Sequence, residues 1–470
     1  MLIQLSNTLH RFVWGPGMLL FFTGCGVYLS CGTRFFQLTH LGLWLRATLG
    51  SLFPQRRSTH SAPASVSESK KKQGDAHGIS QFQTFTTALA GTLGTGNIVG
   101  VATALTAGGP GAIFWMWISA LIGMMTGFSE NVLGMLYRRK NENGAWVGGP
   151  MEYLERGLHA KWLAVLFAVF TVLASFGMGN MAQANSLAGA VESGFGVPPW
   201  LAGVVAAAAI ALVVTGGIRR IGKVTEKLIP IMTLLYIAGC TAILVRFSGT
   251  VPAALAAIFR DAFVPRSALG GAAGYGVLQA MRFGTARGVF SNEAGLGSSV
   301  IIHAAAAEAE PVQQGMWSIC EIFIDTIVMC TLTALCLLAT GASTGGADGA
   351  AMAVDAFRIG LGESGGIFLS IAVVLFAFST LLGWSYYGER AIAYLFGERS
   401  LPWYRILFVA LIPIGCVTQL GLVWEISDTC NGLMAVPNLI GVVALSGLVF
   451  RETRQYLARR PLGSGLALHK

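Results

Sequence analysis

The sequence carries very little charge for its length. Charged residues make up 11% of the 470 residues, while hydrophobic types make up 54% and the mean hydropathy is +0.64. Soluble proteins average about 25% charged residues because their surfaces face water. A chain with so few charges cannot cover itself as a soluble globule, so we predict that a lipid bilayer solvates much of its surface.

Signatures of enzymes, metal centres and nucleotide sites are also missing. The 8 cysteines form no CxxC pair and no Cys/His spacing typical of zinc. No HExxH sequence, phosphate-binding loop or paired acid and base is evident. The net charge of +9 does not indicate nucleic acid, because Lys and Arg lie between apolar runs. We therefore expect no catalytic residues, no organic cofactor and no nucleic-acid partner.

What the chain does contain is a series of long apolar runs. About 20 apolar residues are enough to cross a bilayer as a helix. This template predicts an all-α polytopic membrane protein with about eleven transmembrane helices. The predicted spans cover residues 12–31, 79–107, 112–137, 162–191, 199–216, 228–247, 274–304, 315–340, 365–394, 403–422 and 431–450.

Basic residues are distributed unevenly over the connecting loops. Of the 31 Lys and Arg residues, 24 fall on one side of the predicted membrane and five on the other, while Arg282 and Arg287 lie within a span. Cytoplasmic loops carry the excess of positive charge in membrane proteins. We predict an inner-membrane protein with its N-terminus outside and its C-terminus in the cytoplasm.

Ten of the eleven spans divide into two sets of five that face opposite ways, which predicts an inverted repeat preceded by one extra helix. The predicted regions are an extra helix (1–33), a basic interfacial helix and flexible cytoplasmic loop (34–78), a first repeat (79–247), an extracellular loop (248–273), a second repeat (274–450) and a basic cytoplasmic tail (451–470).

Glycines interrupt the first span of each set of five. They are Gly91, Gly94, Gly96 and Gly100 in one set and Gly284, Gly288, Gly295 and Gly297 in the other. Glycine permits unwinding, and paired broken helices at matching positions are typical of transporter binding sites. Close packing of helices through small residues is the alternative explanation.

The first break, around Gly94-Thr95-Gly96-Asn97, predicts a site for a small zwitterion. Backbone N–H groups freed at a helix start attract a carboxylate, and freed carbonyls attract a cation. Thr95 and Asn97 add side-chain donors at the same place.

Other polar residues within spans have both functional and structural interpretations. Arg287 and Glu293 are candidates for a gate, or they form a permanent ion pair or reach the membrane surface. Asp325, one turn after Glu321, is a candidate proton or cation site. The hydroxyls of Ser379 and Thr380 are further candidates, and their structural alternative is a hydrogen bond to a carbonyl of their own helix. Trp384 is also a candidate. The last candidates are the amides Asn180, Gln183 and Asn185, whose structural alternative is to join helices.

Several of these stretches resemble the alanine-or-glycine:cation symporter family. The stretch 108–123 (GGPGAIFWMWISALIG) is similar to the signature of that family. The blocks 94–97 (GTGN), 148–151 (GGPM), 290–298 (FSNEAGLGS) and 384–390 (WSYYGER) match it in order.

The resemblance implies the five-plus-five inverted repeat of the sodium–amino-acid symporters (LeuT-like) and co-transport of sodium with alanine, glycine or a near relative. It implies Na⁺ as the coupling ion, bound by carbonyls of Ala90 and Leu93 and the hydroxyls of Ser379 and Thr380. It also implies substrate-binding residues, which are Thr95, Gly96, Asn97, Phe176, Gln183, Phe283 and Trp384.

Three other functions stay open at this stage. A symporter of the same fold could couple to protons, with Asp325 or Glu293 titrating. A membrane-embedded enzyme would need paired catalytic groups, which are not evident. A passive pore would not concentrate its substrate.

Overall fold

The computed structural model describes residues 13–52, 78–263, 273–307, 310–344, 349–418 and 421–459. Most of the predicted loop 34–78 beyond residue 52, and the last part of the predicted tail 451–470, lie outside the described residues. Helices overlap every one of the predicted spans.

The helices are α1 Pro16–Gly32, α2 Leu41–Ala47, α3 Gln81–Thr92, α4 Val99–Gly108, α5 Gly111–Tyr137, α6 Lys161–Phe176, α7 Ala182–Phe195, α8 Pro199–Val214, α9 Gly217–Arg246, α10 Val251–Asp261, α11 Ala273–Asn292, α12 Ser299–His303, α13 Pro311–Ile322, α14 Thr331–Ala339, α15 Gly349–Leu361, α16 Glu363–Phe396, α17 Leu401–Val417, α18 Gly421–Ala444 and α19 Ser446–Arg459. Single turns of α-helix lie at Phe36–Thr39 and Pro150–Glu152, 3₁₀ turns at Leu49–Leu52, Thr95–Asn97, Ala342–Thr344 and Glu398–Ser400, and π turns at Tyr153–Gly157, Gly177–Met181 and Phe323–Cys330. Two short antiparallel strands, β1 Arg139–Lys140 and β2 Trp146–Val147, form a hairpin.

Six helical stretches in the described part of the chain are long and apolar enough to cross a membrane, and eight if each bent pair counts as one span. The bent pairs are α3 with α4, and the later part of α18 with α19. Two apolar helices, α1 and α8, are shorter. The structure therefore shows an all-helical membrane protein, while the count of eleven spans and the inverted repeat stay predictions.

Tryptophans mark the ends of several spans. Trp162, Trp200 and Trp403 stand at the starts of α6, α8 and α17 and are 69%, 59% and 76% exposed. Indole rings concentrate where a membrane meets water, because one part of the ring is apolar and the other is polar. These positions agree with spans that begin at α6, α8 and α17.

Two helices are interrupted inside the bundle. The axis turns by 60° between α3 and α4. Between α11 and α12 the chain leaves the helix over residues 293–298, where Glu293, Gly295 and Gly297 have φ of 56°, 91° and 77°. A positive φ is strained for Glu293, and such strain persists only where the surroundings hold it in place.

Candidate functional site

The first interruption follows from how α3 ends. Ser80 and Gln83 form a capping box that starts the helix. After Thr92 the backbone becomes extended at Gly94, and the Gly94 N–H donates to Asn97 Oδ1 at 2.9 Å. In a continuous α-helix this amide would donate to the carbonyl of Ala90. The break therefore diverts that amide from the carbonyl of Ala90.

The carbonyl of Leu93 faces α16 at this break. Ser379 Oγ donates to Leu93 O at 3.3 Å and Thr380 Oγ1 donates to it at 3.4 Å. Both hydroxyls also donate to the carbonyl of Phe376 in their own helix, at 2.8 and 3.0 Å. The structure thus brings together three of the four predicted cation ligands, which are the carbonyl oxygen of Leu93 and the hydroxyl oxygens of Ser379 and Thr380.

Glycine contacts explain why α3 and α16 approach so closely. A Cβ on Gly383 would lie 2.7 Å from both Cα and N of Gly91 and 3.3 Å from the carbonyl carbon of Ala90. A Cβ on Gly94 would lie 2.6 Å from Thr380 Oγ1. Small residues let helix backbones meet in this way inside membranes. Ala90 therefore lies beside α16, one turn from the hydroxyl pair.

Asn97 is the centre of a buried polar cluster. Its Nδ2 donates to Asp325 Oδ1 at 2.7 Å and to Ser291 Oγ at 3.0 Å. Ser291 and Thr326 in turn donate to Asp325 Oδ2 at 2.9 and 2.8 Å. All four side chains are buried. One amide therefore joins the first broken helix to α11 and to the π turn that contains Asp325.

Thr95 points to a different neighbour. Its Oγ1 donates to Gln183 Oε1 at 3.2 Å, and Gln183 Nε2 donates to the carbonyl of Met178 at 3.3 Å. Met178 lies in the π turn Gly177–Met181, which joins α6 to α7. Two of the predicted substrate-binding side chains are thus in contact with each other.

Trp384 fills the space between the two interruptions. Its Nε1 donates to Glu293 Oε1 at 3.0 Å, and Ser298 Oγ donates to the other oxygen of Glu293. A Cβ on Gly179 would lie 2.5 Å from the Trp384 side chain, so the indole packs directly on the π turn. The strained backbone at Glu293 is therefore held by Trp384 and Ser298.

The remaining predicted residues lie apart from this centre. Phe283 and Arg287 line a cavity of about 60 Å³ with Phe290 and Asp428. The guanidinium of Arg287 lies 5.5 Å from the Phe290 ring and does not pair with Glu293 among the described contacts. Phe176 packs on the Tyr404 ring, with centroids 5.2 Å apart.

The family model for the sodium:alanine symporter family matches residues 1–466. The chain belongs to the sodium:alanine symporter family. This membership makes it a sodium-coupled amino-acid symporter of the cell membrane. It confirms the family that the glycine-rich blocks of the sequence resemble. A family of symporters points to a transporter and away from the membrane-embedded enzyme that the sequence left as an alternative.

Two relatives agree with the assignment to the symporter family, and a solved structure shares the fold. The chain is 44% identical over 464 residues to the sodium/alanine symporter AgcS of Methanococcus maripaludis, with 97% of each chain covered. It is 35% identical over 474 residues to the probable sodium/glutamine symporter GlnT of Bacillus subtilis, with 100% and 93% covered. A manganese transporter of Eremococcus coleocola has a similar fold, with a TM-score of 0.51, 14% identity and coverage of 84% and 81%.

The symporter also contains site residues that sequence reasoning missed. A Cβ on Gly96 would lie 3.5 Å from the Phe290 ring, so Phe290 rather than Phe283 covers the first break. At the second break, Glu130 accepts from Asn438 Nδ2 and from backbone amides of Gly295 and Gly297. Phe290 is visible within the 290–298 block, whereas no local pattern marks Glu130 as a partner of residues so far away in sequence.

Proposed function

We propose that this symporter imports a small neutral amino acid, alanine or glycine, together with Na⁺ by alternating access. The observation that carries the proposal is the meeting of the Leu93 carbonyl with Ser379 and Thr380 at the break of the first helix. The Asn97 cluster belongs to the same broken segment. One short segment thus presents both cation-binding and substrate-binding groups.

The proposed Na⁺ site uses the carbonyls of Ala90 and Leu93 and the hydroxyls of Ser379 and Thr380. Unwound carbonyls and hydroxyls are the hard oxygen ligands that replace the hydration shell of an alkali cation. Because α3 and α16 supply two ligands each, a bound cation would hold the two helices together. Sodium binding would thereby fix the broken helix before substrate arrives.

The proposed substrate site lies at the turn Thr95–Asn97. The substrate carboxylate would meet the positive end of the half-helix that starts there. Thr95, Gly96 and Asn97 would contact the amino acid, with Gln183 and Trp384 nearby. Phe176 and Phe283 remain proposed neighbours, although the described conformation places Phe176 against Tyr404 and Phe283 in the cavity lined by Arg287 and Asp428.

Alternating access would move the broken helices relative to α16 around this site. Arg287 and Glu293 remain proposed gating residues. They make separate contacts, because Arg287 lies beside the Phe290 ring and Glu293 accepts a hydrogen bond from Trp384. We propose that the N-terminus is outside and the C-terminus cytoplasmic. The inward sodium gradient and the membrane potential would then drive import, the potential contributing about 2.3 kcal/mol per charge per 100 mV.

Radiolabelled alanine uptake into proteoliposomes tests this function. We expect accumulation above the outside concentration with an inward sodium gradient, and none when potassium replaces sodium. Competition by unlabelled glycine, glutamine and larger amino acids would define the substrate range. Uptake that ignores sodium would contradict sodium coupling, and uptake that only equilibrates would indicate a passive pore.

The proposed cation site predicts a specific change in sodium affinity. Ser379→Ala combined with Thr380→Val removes two oxygen ligands at nearly constant volume. Losing ligands worth about 1.4 kcal/mol or more in total raises the half-maximal sodium concentration at least ~10-fold. Measuring initial uptake rates against sodium concentration checks this. The control is Ser385→Ala, which removes a buried hydroxyl of α16 that bonds only to Leu382 within its own helix. Equal sodium dependence in both variants would exclude this site.

Proton coupling is the second candidate, because the carboxylate of Asp325 contacts Asn97 directly. If Asp325 carries the coupling proton, Asp325→Asn should eliminate uptake driven by a pH gradient while exchange of alanine across the membrane at equal pH continues. If sodium is the coupling ion, wild-type uptake should persist without a pH gradient. Uptake at fixed sodium with and without the pH gradient separates the two.

A further inference from the structure

A second polar group is buried apart from the proposed substrate and sodium sites. His303, the last residue of α12, is 0% exposed, and Gln314 and Glu321 of α13 are 0% and 1% exposed. His303 Nε2 lies 2.9 Å from Glu321 Oε2, and Gln314 Nε2 donates to His303 Nδ1 at 2.6 Å. Because Nδ1 accepts, Nε2 carries the proton and donates to the Glu321 carboxylate. The three side chains form a continuous chain of direct hydrogen bonds.

The charges around this pair are mostly negative. On the elements packed around it, the buried carboxyl groups are Glu130 of α5, Glu293 before α12, and Asp325 one turn beyond Glu321, and α16 adds the buried Glu389, which is paired with Arg405. Each of the first three accepts hydrogen bonds from neutral donors in the described part of the chain.

The other ionisable groups nearby are few. Arg138, at the end of α5, donates to the carbonyls of Ala304 and Ala306 just after His303. Cys320 and Tyr387 are buried neutral groups, and the segment Gln81–Thr92 of α3 holds no ionisable side chain. The basic residues of α2 and α19, which also pack on α13, are exposed; they are Arg46, Arg451, Arg454 and Arg459, and the same helices carry Glu452 and the buried Tyr456.

We propose that His303 and Glu321 form a proton-binding site that is separate from the substrate and sodium sites. A hydronium ion would transfer a proton to Nδ1 of His303 and become water, and the hydrogen bond that Nδ1 accepts from Gln314 Nε2 would be lost. The pair would then change from a net negative charge to an imidazolium–carboxylate pair with no net charge. A neutral pair is favoured in a low-dielectric interior that already holds three other carboxyl groups.

The amide of Gln314 can form a hydrogen bond with both protonation states of His303. Its Oε1 is buried and has no hydrogen-bond partner in the described part of the chain. Half a turn of the amide would bring that oxygen to the new Nδ1–H, so Gln314 donates to neutral histidine and accepts from imidazolium. The proton therefore gains a hydrogen-bond partner that is already in place.

The position of the pair connects proton binding to conformation. It joins α12, the second half of one broken helix, to α13, and the side chain of Thr92 at the end of α3 lies beside Glu321. This is the end of the bundle that the charge bias predicts to face the cytoplasm. Opening that end would hydrate the pair and release its proton. Acid on the cytoplasmic side therefore stabilises the described arrangement and slows opening.

The pH dependence of thermal unfolding tests the site without any transport measurement. Above about pH 7.5 unfolded His and Glu hold almost no proton, so a folded pair that has bound its proton holds one more proton than the unfolded chain. Stability must then fall as pH rises. We expect the unfolding temperature of the purified wild type to fall by ~2 °C or more between about pH 6 and about pH 8. Glu321→Gln should lose most of that change, and Glu363→Gln, which removes an exposed carboxylate of α16, should retain it.

A flat wild-type profile, or an unchanged slope in Glu321→Gln, would overturn the proposal. Gln314→Leu is a second variant, to be used also if Glu321→Gln does not fold. It removes the acceptor for the Nδ1–H and should shift the midpoint of the pH dependence to lower pH without abolishing it. An unshifted midpoint in Gln314→Leu would equally count against the site.

Uptake into proteoliposomes tests the link to conformation and rests on the proposed function. With outside pH and sodium fixed, we expect wild-type alanine uptake to be at least ~3-fold slower at an internal pH of about 6 than about 8. Glu321→Gln should be insensitive to internal pH. No uptake by any variant would count against the proposed function alone, since the unfolding profiles still decide the proton site. Equal pH sensitivity in wild type and Glu321→Gln would exclude the link to opening.

Discussion

Replacing Asn97 by alanine is expected to reduce sodium-driven amino-acid uptake at least ~100-fold while the protein still inserts and folds. Asn97 accepts from the Gly94 N–H and donates to Asp325 and Ser291. Removing it leaves a buried N–H and a buried carboxylate short of a partner, at about 1–3 kcal/mol each. About 2.7 kcal/mol corresponds to a hundredfold change in an equilibrium constant. The substitution would distort the first break, and both Na⁺ and the amino acid are proposed to bind there.

The matched control is Asn185→Ala. Asn185 is also an amide inside the bundle, and its Nδ2 donates to the carbonyls of Gly415 and Thr418 at 3.2 Å. It joins α7 to the end of α17 and touches neither interruption. Initial uptake rates, normalised to the amount of folded protein by size-exclusion chromatography, should fall less than ~3-fold in Asn185→Ala. Comparable losses in both variants would mean that any missing amide disables the bundle.

The sequence predicted the site best where function depends on a short segment. The break at Gly94-Thr95-Gly96-Asn97 follows from the glycine positions along the chain, whereas its closeness to Ser379, Thr380 and Gln183 was implied only by the family resemblance. Such segments combine a backbone that can leave the helix with donors at fixed spacing. Local chemistry therefore carries the information about where the helix opens.

The contacts of aromatic residues were harder to predict, because residues seven positions apart lie on the same face of a helix. Phe283 and Phe290 are seven residues apart on α11 and share a face, so spacing alone cannot decide which one covers Gly96. Phe176 and Gln183 are also seven residues apart. The π turn Gly177–Met181 between them inserts an extra residue, so Phe176 turns to Tyr404 while Gln183 meets Thr95.

Lone acids in the spans posed a similar difficulty. The partner of Asp325 is Asn97, 228 residues earlier, and the contact depends on how two helices rotate and pack. The sequence therefore named Asp325 as a candidate without identifying its partner. It also predicted breaks near Gly284 and Gly288, whereas α11 continues to Asn292. There a Cβ on Gly284 would lie 2.2 Å from the carbonyl of Ala112, so this glycine serves helix packing.

Gly383→Ala is expected to damage sodium-driven uptake strongly, because the new methyl group would meet backbone and not a flexible side chain. A Cβ there would lie 2.7 Å from Cα and N of Gly91. Only separation of α3 from α16 relieves that contact, at about 1–3 kcal/mol. The hydroxyls of Ser379 and Thr380, one turn away, would then move from the Leu93 carbonyl. We expect at least ~10-fold loss of sodium-driven uptake together with a raised half-maximal sodium concentration.

Gly100→Ala separates this steric effect from the general importance of glycine in the broken helix. Gly100 lies in α4, just after the same break, and a Cβ there would have no heavy atom within 4 Å. Alanine should leave uptake unchanged and stabilise the protein slightly, because glycine disfavours a helix by about 1 kcal/mol relative to alanine. If Gly100→Ala were as damaging as Gly383→Ala, flexibility of the broken helix would matter more than its contact with α16. If neither variant lost sodium affinity, the close approach of the two helices could not be what assembles the proposed cation site.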